Sequence, residues 1–179
     1  MIVVDNYIEE KRLLTKVNND PFFNREEPHW WGEWWIHPFS SLRQEVLSHL
    51  FLGGKRFVDT NISGFKHWVK KYEDTNPNTP VFDKDEECFK EIEQYSYPKV
   101  GAIYFHDPKV DEAEGGYLQI WDDQKETPSY ELVRPKYNRL VIFDISKLHN
   151  IQPSTKGSFH YLNVSFWNDP VWRFETFLK

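Results

Sequence analysis

Val100-Gly-Ala-Ile-Tyr-Phe-His106, followed after an acidic stretch by Gly115-Gly-Tyr-Leu-Gln-Ile-Trp121, is the part of the sequence on which the reading of the fold turns. Short runs rich in β-branched and aromatic residues, bounded by glycine, proline and aspartate, read as strands separated by turns. The same period continues through residues 130–133, 140–143 and 159–167. Strands this short and this closely spaced predict a sandwich or a small barrel. Gly115 and Gly116 tolerate positive backbone angles, so a tight reversal is expected between the first two strands.

Upstream of residue 99 the period changes. Leu42, Val46 and Leu50 recur four apart with Leu47 and Phe51 beside them, so residues 41–52 are expected to form a helix with one apolar face. Ser41 with Gln44 resembles a capping box, and Gly53-Gly54 supplies a left-handed stop. A second helix is expected to carry Phe65, Trp68, Val69 and Tyr72. A third, starting in the acidic run near Asp85, is expected to carry Phe89 and Ile92. Asn76-Pro77-Asn78-Thr79-Pro80 reads as an ordered loop. Pattern alone gives an α+β chain, a helical layer on an antiparallel β-structure.

The 179 residues, 39% hydrophobic and 17% aromatic, suffice for one sizeable core and not for two ordinary domains. The net charge of −6, with both signs interspersed, disfavours binding to nucleic acid. No apolar run approaches the ~18 to 20 residues of a membrane span. The start, Met1 to Asn6, lacks the basic and apolar stretches of a secretory signal, so a cytoplasmic protein is expected. Cys88 is the single cysteine, which excludes an internal disulfide and a cysteine zinc site; it reads as a small buried hydrophobe on a helix. The Asn-x-Ser matches at Asn61 and Asn163 are read as chance. Trp30, Trp31, Trp34 and Trp35 read as packing for a long loop or a first strand, with one or two rings at a pocket mouth. Residues 169–179, with Trp172, Phe174 and Phe177, are expected to form a closing cap or a dimer contact.

The strand, loop and strand quoted first, then Asn138-Arg-Leu-Val-Ile-Phe-Asp144, His149-Asn-Ile-Gln-Pro153 and the strand ending in Phe166-Trp167, resemble in order and spacing the prolyl-4-hydroxylase-like 2-oxoglutarate/Fe(II) dioxygenases. The resemblance covers about residues 100–167 well and residues 5–79 weakly. It implies a mainly β, α+β chain with a double-stranded β-helix core, jelly-roll and cupin-like, and N-terminal helices packed on one sheet. It also implies one domain over residues 1–179, with helical support over about 1–98, the core over about 80–167 and a cap over 168–179. The cofactors implied are Fe(II) and 2-oxoglutarate. Two histidines and one carboxylate on one face of the iron leave positions for a keto acid and dioxygen.

His149 stands at the distal ligand position. The family's His-x-Asp is best matched by Val81-Phe82-Asp83, which puts Asp83 at the carboxylate and Val81 where a histidine is expected. An aliphatic side chain donates nothing to a metal. His106, at a strand end, is a candidate replacement ligand, weighed against a structural role. Relatives carry an arginine about ten residues after the distal histidine, whose planar fork clamps the far carboxylate of the keto acid. Here Phe159 or His160 occupies that place, and His160 with Tyr104 is expected to hold the co-substrate.

The function this resemblance implies is hydroxylation of a peptide or small molecule by a monomer or homodimer that binds neither nucleic acid nor membrane. Two other readings stand beside it. Val81 and the absent arginine fit a binding protein of the same fold with a decayed metal site. The tryptophan cluster fits a glycan-binding jelly roll. Asp83, near a helix start rich in Asp85, Glu86 and Glu87, is equally a helix-dipole partner.

Overall fold

A computed structural model describes residues 1–26, 30–32, 41–54, 62, 64–72, 80, 81, 83, 84, 86–98, 100–122 and 129–168. Its elements, in order, are β1 (Ile2–Val4), α1 (Lys11–Asn19), β2 (Trp30–Gly32), α2 (Leu42–Gly54), β3 (Gly64–Tyr72), α3 (Glu86–Ile92) and β4 (Val100–Phe105). A 3-10 turn at Pro108–Glu112 follows. Then come β5 (Glu114–Gly115), β6 (Leu118–Asp122), β7 (Ser129–Val133), β8 (Arg139–Phe143), β9 (His149–Ile151), β10 (Ser154–Lys156) and β11 (Phe159–Trp167).

Alternation in β4 sends Ala102 and Tyr104 to one face and Ile103 and Phe105 to the other, and all four are buried. A strand buried on both faces belongs in the middle of a sheet. β4 lies there, in a six-stranded sheet of order β1-β8-β4-β11-β3-β2. β6, β7 and β9 form a second sheet of order β7-β6-β9, and β5 pairs with β10. Val81 extends the smaller sheet by bridging to His149. The chain thus alternates between two facing antiparallel sheets, the winding of a double-stranded β-helix.

Each face of the large sheet has its own core. Leu13 and Val17 of α1, Phe23, and Val46, Leu47 and Leu50 of α2 cover Phe65, Val69, Ala102, Tyr104, Leu140 and Leu162. On the other face Ile103, Phe105, Val141, Phe143 and Tyr161 meet Leu118, Ile120, Val133 and Ile151 of the small sheet. α2 begins as its sequence predicts, with the Ser41 hydroxyl accepting from the Gln44 N–H at 3.3 Å, and runs on to Gly54.

Three expectations are corrected. The predicted second helix is strand β3. Phe65, Trp68, Val69 and Tyr72 have helical spacing because both faces of this strand are covered, Phe65 and Val69 by the helices and Trp68 and Tyr72 on the other side. With β1 and β2, β3 also puts strands into residues 1–98, the region expected to be helical support. α3 forms where predicted and buries Cys88, but Phe89 and Ile92 are 39% and 49% exposed, and Phe89 stacks on Tyr95 at 4.3 Å instead of on a sheet. Gly115 and Gly116 do take positive φ, 91° and 68°. They do not join a hairpin, because β4 and β6 belong to different sheets.

Trp34, Trp35, the Asn76–Thr79 loop and residues 169–179 lie outside the described residues, as do the side chains of Trp30 and Trp31. Among the described residues no helix is long and apolar enough to cross a membrane.

Candidate metal centre

Backbone pairing assembles the site. The Val81 N–H donates to the His149 carbonyl and the His149 N–H to the Val81 carbonyl, both at 2.8 Å, and the Asp83 N–H donates to the Ile145 carbonyl at 3.4 Å. Directly opposed residues project to one face, as do residues two apart on an extended chain. Val81, Asp83 and His149 therefore face the space between the sheets together. His149 packs edge-on against Phe143 of the large sheet at 5.1 Å, and Asp83 hydrogen-bonds Ser165 of β11.

The electrostatics suit a divalent cation. His149 Nδ1 lies 2.8 Å from the Lys147 carbonyl, which accepts only, so the proton sits on Nδ1 and the Nε2 lone pair is available. Burial pushes the imidazole below its ordinary range, against the Lys147 carbonyl and Asp83, so it is neutral at pH 7. Burial pushes the Asp83 carboxyl up, against the opposing pull of Lys66, His149, Ser165 and Lys70. Asp83 is only partly buried as a residue, yet its Oδ2 is covered and has no hydrogen-bond partner. A covered oxygen without a donor is costly and calls for a partner. Asp83 and His149 fit the carboxylate and imidazole of an iron site. Val81, 47% exposed, offers no third donor, and no group of three His, Cys, Asp or Glu is poised for a metal among the described residues.

Residues 81–168 match the family model of the 2OG-Fe(II) oxygenase superfamily, a segment that begins at Val81 and contains Asp83 and His149. That segment, just under half of the chain, carries the likeness to the 2OG-Fe(II) oxygenase superfamily. A solved prolyl-4-hydroxylase from Pseudomonas putida superposes with a TM-score of 0.60 at 12% identity, over 94% of this chain and 92% of that one. A Trichoplax adhaerens prolyl hydroxylase, solved with a hypoxia inducible factor peptide fragment, gives 0.58 at 13%, over 99% and 86%. A viral collagen prolyl hydroxylase from Paramecium Bursaria Chlorella virus-1, solved as a 2OG complex, gives 0.53 at 15%, over 92% and 94%. At such identities the likeness is one of fold. No curated protein matches the sequence.

The superfamily's co-substrate positions fall differently from the expectation. Tyr104 points into the helix-facing core, 6.2 Å from the Tyr7 ring, and donates to Asn138 Oδ1 at 2.9 Å. His106 is buried on that same side, with Nε2 2.6 Å from the Phe23 carbonyl and Nδ1 3.4 Å from the Tyr104 carbonyl. Burial lowers its pKa to about 4. His160 sits 3.3 Å from Asp107 Oδ2, which also accepts its N–H at 2.9 Å. Burial pushes Asp107 up, but these hydrogen bonds outweigh it and hold the carboxyl at about 2. Strand alternation is the cause. In β4 the odd-numbered residues face the small sheet, and in β11 so do Phe159, Tyr161, Asn163 and Ser165, which turns Tyr104, His106 and His160 away from Asp83 and His149. Phe159, not His160, thus points inward.

Side chains missed in the sequence share the inner face. Asn163 is buried, with Oδ1 unpartnered. From β3, Lys66, Trp68, Lys70 and Tyr72 alternate onto that face. Reading β3 as a helix scattered these four; a strand period would have aligned them.

Proposed function

We propose that the space between the sheets is an Fe(II) and 2-oxoglutarate site held by Asp83 and His149, and that the chain hydroxylates a peptide or small molecule. The observation that carries this is the unpartnered Asp83 Oδ2 beside an imidazole whose Nε2 lone pair is kept open by the Lys147 carbonyl. Bound iron supplies a centre at which dioxygen is activated, with 2-oxoglutarate oxidised to succinate and carbon dioxide as one oxygen atom enters a substrate C–H bond. This chain's own residues do the remaining work. Burial raises the Asp83 pKa, and a bound cation would favour the ionised carboxylate. Lys147 fixes the tautomer of His149 and Ser165 orients Asp83. Phe143, Ile103 and Phe105 keep water from one side of the site. A peptide substrate agrees with the fold likeness to an enzyme solved with a peptide fragment.

The test is anaerobic titration with Fe(II) and 2-oxoglutarate, followed by admission of air. A visible metal-to-ligand charge-transfer band and then succinate support the reading. The second reading, a binding protein with a decayed site, is favoured by Val81 and by the absent arginine. Neither signal in wild type, with metal binding gained in Val81→His, would replace the first reading with the second.

A further inference from the structure

The inner face of β3 presents Lys66, Trp68, Lys70 and Tyr72, and their direct partners on β11 are Ser165, Asn163, Tyr161 and Phe159 in that order. Asp83 touches Ser165, so the metal centre lies at the Lys66 end of this row. Phe159, ten residues after His149 (159 − 149), lies at the Tyr72 end, where relatives of this chain are expected to place a cation. An apolar ring fills that position, packed against Tyr72 at 5.1 Å and Phe105 at 6.1 Å. Lys70 stands between the two ends, opposite Tyr161 and one pair along from Phe159.

We propose that Lys70 is the cation that binds the far carboxylate of 2-oxoglutarate in this chain, supplied across the ladder from β3 in place of an arginine on β11. The proposal rests on the iron and 2-oxoglutarate reading above. Diagonal neighbours in a ladder lie about 7–8 Å apart, within reach of a long side chain, so a charge on the neighbouring strand one pair along reaches the same space through the flexible lysine stem. Lys70 acts electrostatically on both Asp83 and His149, which puts its charge within range of the metal centre. Its side chain is exposed, and among the described residues no carboxylate pairs with it. Lys66 differs: it shares the row of Ser165, leads the cationic pull on Asp83, and lies over the Trp68 ring at 5.5 Å.

The test is calorimetric titration of anaerobic, Mn(II)-loaded full chain with 2-oxoglutarate and with 2-oxopentanoate, which lacks only the far carboxylate. Wild type should prefer 2-oxoglutarate by roughly 10- to 100-fold, the range of a charge-assisted hydrogen bond. Lys70→Met should lose that preference while keeping its Mn(II) affinity, its 2-oxopentanoate affinity and its thermal unfolding midpoint. Lys70→Arg should retain the preference. An undiminished preference in Lys70→Met would overturn the assignment and leave the iron and 2-oxoglutarate reading intact. Metal-loaded wild type that binds neither keto acid would overturn both.

Discussion

In the proposed metal site, Val81 sets how many protein groups can reach the ion. It is directly opposed to His149 and half-exposed, so a larger side chain there meets space and not core. Val81→His should therefore raise Mn(II) or Fe(II) affinity at least about tenfold, since even groups one shell further out change affinity by that much. Unchanged affinity in an anaerobic titration would mean that position 81 does not face the point shared by Asp83 and His149. Tyr104 makes the opposite prediction. Its hydroxyl is bonded to Asn138 in the helix-facing core, so Tyr104→Phe should cost about 1 kcal/mol of stability and leave 2-oxoglutarate affinity untouched. A variant of normal stability with weakened co-substrate binding would restore the sequence's assignment. Gly101 couples the two kinds of effect. A Cβ there would lie 2.2 Å from Ile145 Cδ1, and Ile145 heads the segment that carries His149. Gly101→Ala should lose about 1–3 kcal/mol by overpacking and weaken metal binding as well, both measurable on one preparation.

Strands were legible in this sequence wherever one face differed from the other or glycine and proline marked their ends. β4 and β11 fall on their predicted residues, and β6, β7 and β8 within one. β3 was not legible, because its apolar residues Phe65, Trp68, Val69 and Tyr72 fall at helical spacing with lysines between them. That one misreading hid the row Lys66, Trp68, Lys70 and Tyr72, whose neighbours two apart share a face in a strand and not in a helix. The site followed the same logic. Asp83, His149, Tyr104 and His160 all came from the family pattern; Tyr104 and His160 turn to the other side of the large sheet, because one step along a strand reverses the face. Asn138 ties the start of β8 to the segment before α1 and to β4. It has φ of 57°, bonds Ile8 through both side-chain atoms at 3.0 Å, and accepts from Tyr104. Asn138→Gly should destabilise by roughly 2–4 kcal/mol through those lost buried hydrogen bonds. Asn138→Ala should cost about 1 kcal/mol more, because its Cβ is strained at positive φ. Chemical denaturation of both variants gives the order, and an alanine variant as stable as the glycine one would contradict it.

Acid should weaken the molecule through His106. Its folded pKa of about 4 lies below the ordinary 6.5, so the folded state stays neutral while the unfolded chain takes up a proton. Stability is fully present above pH 6.5, falls as pH drops towards 4, and levels off below. At about 1.4 kcal/mol per unit the loss approaches ~3 kcal/mol. Unfolding free energies at pH 7 and 4.5 should differ more in wild type than in His106→Gln; equal differences would remove His106 as the source. This titrating group lies in the helix-facing core, on the face of the large sheet opposite Asp83 and His149. Two facing sheets bring Val81 and Asp83 to residues 145–149, and the proposed function depends on that meeting. A double-mutant cycle of Mn(II) affinity over wild type, Asp83→Ala, His149→Ala and the double variant measures it. One bound ion per chain, lost almost as completely in either single variant as in both together, is the predicted result; a single variant that binds as tightly as wild type would contradict a shared site.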